Sequence, residues 1–193
     1  MGEGNKSKNS EIEALVKKVQ EGDQDAFAKV YDSLIDQVYR YVFYRVKDED
    51  AEDIVENVFL KVWENIKKYR LEEGKSFSAW VFRIAHNLVV DHYRASKDKE
   101  FDELDLNMAD ENREHNPIKT TENVIDQKFL KMALSKLKSP YKDVIIYKFV
   151  NELSNKEVAD ILDKNEGSLR VLQFRALAML KKELMEIGAH YDF

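Results

Sequence analysis

Apolar residues recur every three or four positions along most of the chain, the spacing of a buried helix face. Four such stripes lie within residues 10–96. The pattern resumes at residue 123 and runs to 187, with a break at residues 138–140. Helix starts are predicted at Ser10 (capped with Glu13), Asp25, Asp48 and Ser76, the first helix ending near Gln20 and the second near Val46. The sequence therefore predicts an all-α fold.

The periodicity fails between Ser96 and Thr121, where the chain is polar and contains Pro117. Residues 97–119 hold eight acidic and four basic side chains, too little apolar surface for a fold of their own. We therefore predict two helical domains, residues 10–96 and 123–187, joined by a flexible acidic linker, residues 97–122. The domains could close on each other, or on a partner protein, and hide the surfaces around Asp53 and Arg175.

The segment from Ser154 to Ala176 has the pattern of two short helices joined by a tight turn. Ser154 and Glu157 form a capping box at the first helix, and a second helix starts near Gly167. Between Gly167 and Lys182 this helix carries four basic residues and no acid. That layout is typical of a helix-turn-helix whose second helix enters the major groove of DNA. A helical hairpin with a solvated basic face is the alternative.

The formal net charge of −6 by itself argues against nucleic-acid binding. The charges are unevenly distributed along the chain, however, and their distribution matters more than their sum. Residues 48–57 hold six acids and no base, and they offset the basic C-terminal helix. A protein that binds DNA while held by a larger partner needs less positive charge of its own. The net charge therefore does not exclude a DNA-binding protein that is held by a larger partner.

Several chemistries are poorly supported. The absence of cysteine excludes disulfides and thiolate sites and is compatible with a reducing cytoplasm. The four histidines are too scattered for a zinc site, and nothing pairs the carboxylates for acid–base work. No apolar run reaches the roughly 20 residues of a membrane span. We expect no metal, no cofactor, no catalytic residue and no membrane insertion.

The third and fourth helices carry patterns more specific than their periodicity, and the C-terminal domain carries a third. The third helix contains Ala51, Glu52, Asp53, Ile54, Val55, Phe59, Leu60, Val62 and Trp63. The fourth contains Phe77, Trp80, Ile84, Ala85, Asn87, Asp91 and Arg94. The C-terminal domain supplies Leu137, Pro140, Glu157, Val158, Ala159, Gly167, Arg170, Arg175, Ala176 and Leu177.

In this order, these residues resemble the second and fourth conserved regions of the extracytoplasmic-function (ECF) sigma factors, the compact promoter-recognition subunits of bacterial RNA polymerase. The resemblance spans roughly residues 11–184. It implies a cytoplasmic protein that binds core polymerase, recognises promoter DNA, helps to open it, and has an anti-sigma factor as a further partner. A helix-turn-helix regulator that acts without polymerase and a helical protein-binding adaptor are the alternatives.

The resemblance also implies three sets of site residues. The acidic start of the third helix would dock on the clamp of the largest polymerase subunit, although Glu56-Asn57 stands where the family usually has Gln-Glu. The outer face of the fourth helix would hold the minus-ten element, and the last helix would read the minus-thirty-five element. The core-polymerase set is Asp53, Glu56, Asn57, Leu60 and Trp63. The minus-ten set is Phe82, Arg83, His86, Asn87 and Arg94. The minus-thirty-five set is Lys156, Gly167, Ser168, Arg170, Val171, Phe174 and Arg175.

Other residues on these helices are assigned to the core from their place on the apolar stripes. Phe77, Trp80 and Ile84 are expected inside the N-terminal domain, and Leu169, Leu172 and Leu177 inside the C-terminal one. Gln173 is compatible with either role. Phe174 departs from the family, which often has His there, and its ring could pack on a sugar or a thymine methyl.

Overall fold

The computed structural model describes residues 3–71, 75–96 and 121–188, and every regular element in these ranges is helical. Three contacting helix pairs, α1–α2, α2–α3 and α3–α4, build the N-terminal half, and α8 packs on α5, α6 and α7 in the C-terminal half. The elements are α1 (Glu3–Gln20), α2 (Asp25–Phe43), α3 (Asp48–Asn65), a 3₁₀ turn (Ile66–Lys68), α4 (Phe77–Ser96), α5 (Thr121–Lys136), α6 (Ser139–Ile145), a π-helical turn (Ile146–Val150), α7 (Asn155–Ile161) and α8 (Glu166–Glu186). The all-α prediction is confirmed. The predicted linker lies almost wholly outside the described residues.

The helix-turn-helix forms as its capping residues predict. The Ser154 hydroxyl accepts a hydrogen bond from the Glu157 backbone N–H, and the Glu157 carboxylate accepts one from the Ser154 N–H. Asp163 takes a left-handed conformation (φ 51°) in the turn. Asn165 then caps α8 by accepting from the Ser168 N–H at 2.8 Å. These local contacts fix the direction in which α8 leaves the turn.

Two predicted helix ends are wrong, and a residue near each of them contacts a distant part of the chain. Ser10 does not cap α1, which already begins at Glu3. Asn9 instead holds this turn through hydrogen bonds with Glu157 and Ser78 (2.9 and 3.1 Å). Helix α2 ends at Phe43 rather than near Val46, and Arg45 in the following turn reaches into the C-terminal half.

The two halves pack against each other through α4 and α7 and through α2 and the π-helical turn. One continuous core cluster includes Tyr41 from α2, Phe82 from α4 and Tyr147 from the π-helical turn, all fully buried. The surfaces of both halves must therefore be described with the other half in place.

Candidate functional site

The five residues predicted to bind polymerase lie together on the exposed face of α3. Ile54, Val55 and Val58 on the opposite face are buried, because the apolar stripe has helical spacing. The amide nitrogen of Asn57 donates to the backbone carbonyl of Asp53 at 2.7 Å. The exposed set combines acidic and polar side chains with two large apolar ones: Asp53, Glu56, Asn57, Leu60 and Trp63.

Leu60 and Trp63 make this face suitable for protein contact. Leu60 is 55% exposed and Trp63 41% exposed, although the Trp63 ring also packs edge-on against Phe27 at 4.8 Å. An apolar centre beside charged residues is the usual composition of an interface, in which buried apolar anchors contribute most of the affinity. The sequence predicted that the five residues share one surface, and in the structure all five are exposed on α3.

The predicted single outer face of α4 is wrong, because its five residues divide between two environments. Phe82 is fully buried against the rings of Tyr41 and Tyr147, at centroid distances of 6.1 and 5.8 Å. Arg83 donates to the backbone carbonyl and, at 3.2 Å, to the carboxylate of Asp160 in α7. The periodicity of α4 alone could not show that another domain covers this side of the helix.

The other members of the minus-ten set are more accessible. His86 is half-buried, whereas Asn87 and Arg94 are exposed. Among the described residues, Arg94 forms a solvent-exposed ion pair with Asp91, at 3.5 Å, and such pairs hold a side chain weakly. Asn87 and Arg94 are therefore free to contact a ligand without any change of fold.

A cleft beside this exposed part of α4 was missed by sequence reasoning. Its volume is about 300 Å³, and the side chains that line it are cationic, amide, aromatic and, in one case, aliphatic: Lys61, Asn65, Lys68, Tyr69, Trp80 and Ile84. Trp80 and Ile84 were predicted to be core residues, but they are only partly buried because they form the cleft wall. Asn87 lies one turn after Ile84 on the same side of the helix. Aromatic faces next to cations suit unstacked bases and phosphates.

Six of the seven predicted minus-thirty-five residues are exposed in the first half of α8, and the seventh, Lys156, is exposed on α7. Leu169 and Ala176 are fully buried and hold the helix in place, while Val171 and Phe174 are 53% and 77% exposed. A Cβ on Gly167 would lie 3.3 Å from the Asn165 Oδ1 that caps the helix, so glycine leaves this cap unhindered. The exposed set is Lys156, Gly167, Ser168, Arg170, Val171, Phe174 and Arg175.

Two further assignments on α8 can be decided. Leu177 is not a core residue, since it is 43% exposed and lies one turn after Phe174 on the outer side of the helix. Gln173 donates to the Asn155 side chain at 3.1 Å and so ties α8 to α7. Leu177 extends the apolar part of the outer surface of α8. Gln173 helps to position that helix through its hydrogen bond to α7.

The contact between the two halves contains a buried ion pair. The guanidinium of Arg45 lies 2.7 Å from the Asp143 carboxylate, and both side chains are 3% exposed. Arg45 also donates to the Ser139 hydroxyl at 3.0 Å, and that hydroxyl donates to Asp143 at 3.2 Å. Next to this pair, the rings of Tyr41 and Tyr147 stack at 4.6 Å.

Glu157 links the start of the helix-turn-helix to the start of α4. Its carboxylate accepts hydrogen bonds from Asn9 (2.9 Å) and from Ser76 (3.0 Å), in addition to those from Ser154. Burial alone would raise the pKa of Glu157, but the hydrogen bonds from Ser154, Asn9 and Ser76 outweigh it and lower the pKa. The Ser76 hydroxyl in turn caps α4 by accepting from the Ala79 N–H at 3.1 Å.

The domains therefore meet in one arrangement, and that arrangement leaves Asp53 and Arg175 exposed, contrary to the expectation that closure of the domains on each other would hide them.

His86 makes the contact between the halves sensitive to pH. Its Nδ1 lies 3.2 and 3.4 Å from the hydroxyls of Tyr41 and Tyr147. Burial lowers the pKa of His86; the Asp143 carboxylate raises it and the Arg45 guanidinium lowers it. The folded protein thus favours the neutral imidazole, so the stability from this site is complete above the ordinary pKa of about 6.5 and decreases as pH falls through that value.

We therefore expect His86→Gln to reduce the loss of stability between about pH 7.5 and about pH 5.5. The measurement is the free energy of unfolding from denaturant titrations of both proteins at each pH. His92→Gln removes another histidine of the same helix and serves as the matched control. An equal pH dependence in the wild type and the His86 variant would contradict the prediction.

Within the described ranges, no group of three His, Asp or Glu side chains could hold a metal ion. The helices of these ranges include none that is long and apolar enough to cross a membrane.

Comparison with known proteins matches both halves of the chain to one family. Residues 30–99 match the model of Sigma-70 region 2, and residues 130–180 match that of Sigma-70, region 4. The chain is 32% identical over 183 residues to the ECF RNA polymerase sigma factor BldN of Streptomyces coelicolor, covering 92% of this chain and 67% of BldN. It is 30% identical over 190 residues to the ECF RNA polymerase sigma factor SigW of Bacillus subtilis, covering 91% of this chain and 98% of SigW.

The fold is also that of solved relatives. The structure of CnrH in complex with the cytosolic domain of CnrY superposes with a TM-score of 0.66 at 21% identity, over 90% of this chain and 96% of that one. The sigma factor RpoE from Bartonella quintana, in complex with the anti-sigma factor NepR, gives the same TM-score and identity, over 82% and 96% of the two chains.

Proposed function

The chain belongs to the ECF family of RNA polymerase sigma factors, and from this membership we propose that three helices divide the steps of promoter recognition. The exposed face of α3 docks on the clamp of the largest subunit of core polymerase. Helix α4 and its cleft hold the melted minus-ten element, and the start of α8 reads the minus-thirty-five element in the major groove. The observation that carries the proposal is that α3 and α8 expose separate surfaces, one acidic and one basic.

The role of α3 follows from its charge and its exposed apolar side chains. The acidic residues precede Leu60 and Trp63 on the same face, so a basic partner would be oriented by charge before the apolar anchors are buried. A role in helix stability alone explains the acids of the first turn, which the helix dipole favours. It does not explain Glu56, which lies beyond that turn, or the exposure of Leu60.

The role of α4 rests on the cleft and on Asn87. An amide side chain can donate to and accept from a base edge, and the cleft supplies aromatic faces for an unstacked base. Lys61 and Lys68 at its rim would neutralise neighbouring phosphates. The combination favours single-stranded DNA over duplex, because a base must leave the stack to enter the cleft.

The role of α8 rests on the contrast between its two faces. The inner face is anchored by Leu169 and Ala176, and the outer face presents Arg170 and Arg175 around an apolar pair, Val171 and Phe174. Arginine can read guanine or bind phosphate, whereas an exposed aromatic ring on a recognition helix matches the methyl group of thymine. We therefore propose that Phe174 contributes base discrimination rather than affinity for the backbone.

Replacing the minus-thirty-five thymines by deoxyuridine should weaken duplex binding by the wild-type holoenzyme and leave binding by the Phe174→Ala holoenzyme almost unchanged. The replacement removes only the methyl groups, and loss of such a base contact costs at most about 1–3 kcal/mol. The measurement is the dissociation constant of each holoenzyme on the two duplexes. An Arg170→Ala holoenzyme, which keeps the ring, should still distinguish the duplexes. If the replacement of thymine by deoxyuridine weakened binding equally for the wild-type and Phe174→Ala holoenzymes, the assignment of Phe174 would be wrong.

Family membership also bears on partners and location. Members are transcription initiation factors, so we propose that the chain works by binding, in the cytoplasm, with core polymerase and promoter DNA. Two relatives in the comparison were solved with CnrY and with the anti-sigma factor NepR. We propose an anti-sigma protein as a further partner of this chain.

Promoter binding with and without core polymerase tests the proposed function against its alternatives. The isolated chain should bind a promoter duplex weakly, and addition of core polymerase should yield a sequence-specific complex in which the minus-ten bases react with permanganate. Tight specific binding by the chain alone would indicate a regulator that needs no polymerase. Undiminished complex formation by an Arg170→Ala/Arg175→Ala variant would indicate an adaptor.

A further inference from the structure

A second cleft adjoins the one proposed for the minus-ten bases and shares Lys68, Tyr69 and Trp80 with it. Its volume is about 350 Å³, within the range of small-molecule sites. Among the described residues that line it, four are cations and one is an acid: Lys68, Arg70, Lys75, Arg83 and Asp160. The second cleft is therefore suited to a small anion.

The wall that the two clefts share is aromatic and firmly held. The rings of Tyr69 and Trp80 lie 5.1 Å apart, and both pack on the buried ring of Phe77, at 5.0 and 5.2 Å. The side-chain amide of Gln20, at the end of α1, donates to the backbone carbonyls of Ile66 and Tyr69, at 2.8 and 2.7 Å. These bonds fix the segment that carries Tyr69. A fixed aromatic wall beside cations suits a heterocyclic base joined to phosphate.

Arg83 can bind a phosphate and keep its bonds to Asp160. Both bonds come from one guanidinium nitrogen, Nη2, which donates to the backbone carbonyl and, at 3.2 Å, to the carboxylate of Asp160. The Arg83 side chain is 43% exposed, and a guanidinium carries five N–H donors in a rigid fork. The other donors can therefore form charge-assisted hydrogen bonds to a phosphate in the cleft.

Asp160 favours a free ribonucleotide over a DNA strand as the ligand. It lines the second cleft from α7, where its carboxylate would repel the phosphate of a neighbouring nucleotide in a continuous strand. A free nucleotide has no such neighbour. A carboxylate can also accept a hydrogen bond from the ribose 2′-hydroxyl, which deoxyribose lacks. The charges of the cleft thus match a ribonucleotide whose phosphates lie near the cations.

We propose that the second cleft binds a free ribonucleoside polyphosphate. Its base lies against Trp80, and its phosphates lie among Arg70, Lys75 and Arg83. The proposal does not depend on whether α4 holds promoter DNA. Because the cleft has walls from α4 and α7, the ligand contacts both halves of the chain, and its binding stabilises the arrangement in which they meet. The protein thereby becomes sensitive to the concentration of free nucleotide.

Titration calorimetry of the full chain with ATP, GTP and inorganic triphosphate tests the site. We expect ATP or GTP to bind with a Kd below about 1 mM and at least about tenfold more tightly than inorganic triphosphate, which lacks the base. The deoxyribonucleotide should bind more weakly than the ribonucleotide. Binding of neither nucleotide, or equal affinity for inorganic triphosphate, would overturn the proposal.

Removal of two cations tests the position of the phosphates. Arg70→Ala/Lys75→Ala should weaken nucleotide binding at least about tenfold, because charge-assisted hydrogen bonds are lost. Lys29→Ala/Lys67→Ala removes the same charge from exposed positions that do not line the cleft, one of them in the adjoining 3₁₀ turn, and is the matched control. Equal losses in the two variants would indicate general charge attraction and overturn the site. If Arg70→Ala/Lys75→Ala instead weakened binding of a single-stranded DNA 12-mer and left nucleotide binding unchanged, the cleft would be a DNA site and the proposal would be wrong.

Tryptophan fluorescence tests the position of the base. The chain has two tryptophans, so Trp63→Phe leaves Trp80 as the only one. Saturating nucleotide should quench its emission and inorganic triphosphate should not, because only a base can stack on the ring. Nucleotide binding that leaves the emission of Trp80 unchanged would overturn the proposal.

Discussion

Reversing two charges on α3, Asp53→Lys with Glu56→Lys, is expected to weaken binding to core polymerase by at least about a hundredfold. Like charges placed together at an interface cost several kcal/mol, and each 1.4 kcal/mol is a factor of ten in affinity. Both side chains are exposed, and the helix is held by Ile54, Val58 and Val62 on its other face. The substitutions should therefore change binding without unfolding the domain.

The control must change the net charge equally at another place. Glu21 and Asp36 are exposed acids outside α3, so Glu21→Lys/Asp36→Lys matches the test variant in charge. Core-polymerase affinity and the helical signal should be measured for both proteins. A folded Asp53/Glu56 variant that binds as well as the control would show that α3 is not the docking surface.

Asn87→Ala and Arg175→Ala should impair different steps of initiation. Asn87 lies beside the cleft suited to an unstacked base, and Arg175 lies on the surface suited to the major groove. Losing one good bidentate base contact costs about 1–3 kcal/mol, so each variant should lose roughly five- to 150-fold in its own step. On a promoter already melted at the minus-ten element, the opening defect of Asn87→Ala should shrink. The binding defect of Arg175→Ala should persist.

Salt dependence distinguishes two roles of Arg175. A phosphate contact would weaken binding to all sequences alike and reduce the slope of affinity against salt, whereas a base contact changes specificity. Lys29→Ala, which removes an exposed cation of α2 outside all three sets, is the comparison for loss of charge alone. If Asn87→Ala and Arg175→Ala respond identically to pre-melting, the division between α4 and α8 is wrong.

The sequence predicted the parts of the fold that depend on neighbours in the chain. Hydrophobic spacing placed α3 and α4, and the capping residues Ser154 and Glu157 placed the helix-turn-helix. These features are decided within one or two turns of helix, so a local pattern is enough to recognise them. For the same reason, the exposed faces of α3 and α8 could be assigned before the structure was known.

Contacts across the linker could not be predicted in this way. Phe82 has the spacing of an outer residue on α4, but it is buried between Tyr41 of α2 and Tyr147, which lies far along the chain. From its sequence neighbours Arg45 would be predicted to be a surface cation, but in the structure it is buried beside Asp143. A single sequence gives no signal for such pairs, because periodicity describes each helix separately and not which helix covers it.

The cleft shows a different limit. Trp80 and Ile84 do lie on the apolar stripe that predicted them as core, but they are only partly buried where α4 faces the end of α3 and the 3₁₀ turn. Their partial exposure depends on how these elements pack beside α4, which the hydrophobic pattern of a single helix does not specify. The one available signal was the presence of lysines near Tyr69, a combination of charge and aromatic rings that favours nucleic acid.

Run-off transcription with purified core polymerase on genomic DNA fragments, with start sites mapped, tests the central claim most directly. Addition of this chain should produce transcripts from a defined set of promoters that share minus-thirty-five and minus-ten elements. The Asp53→Lys/Glu56→Lys protein should produce none, while Glu21→Lys/Asp36→Lys should behave as the wild type. Transcription that starts at the same sites with and without the chain would contradict its assignment as a promoter-specificity subunit.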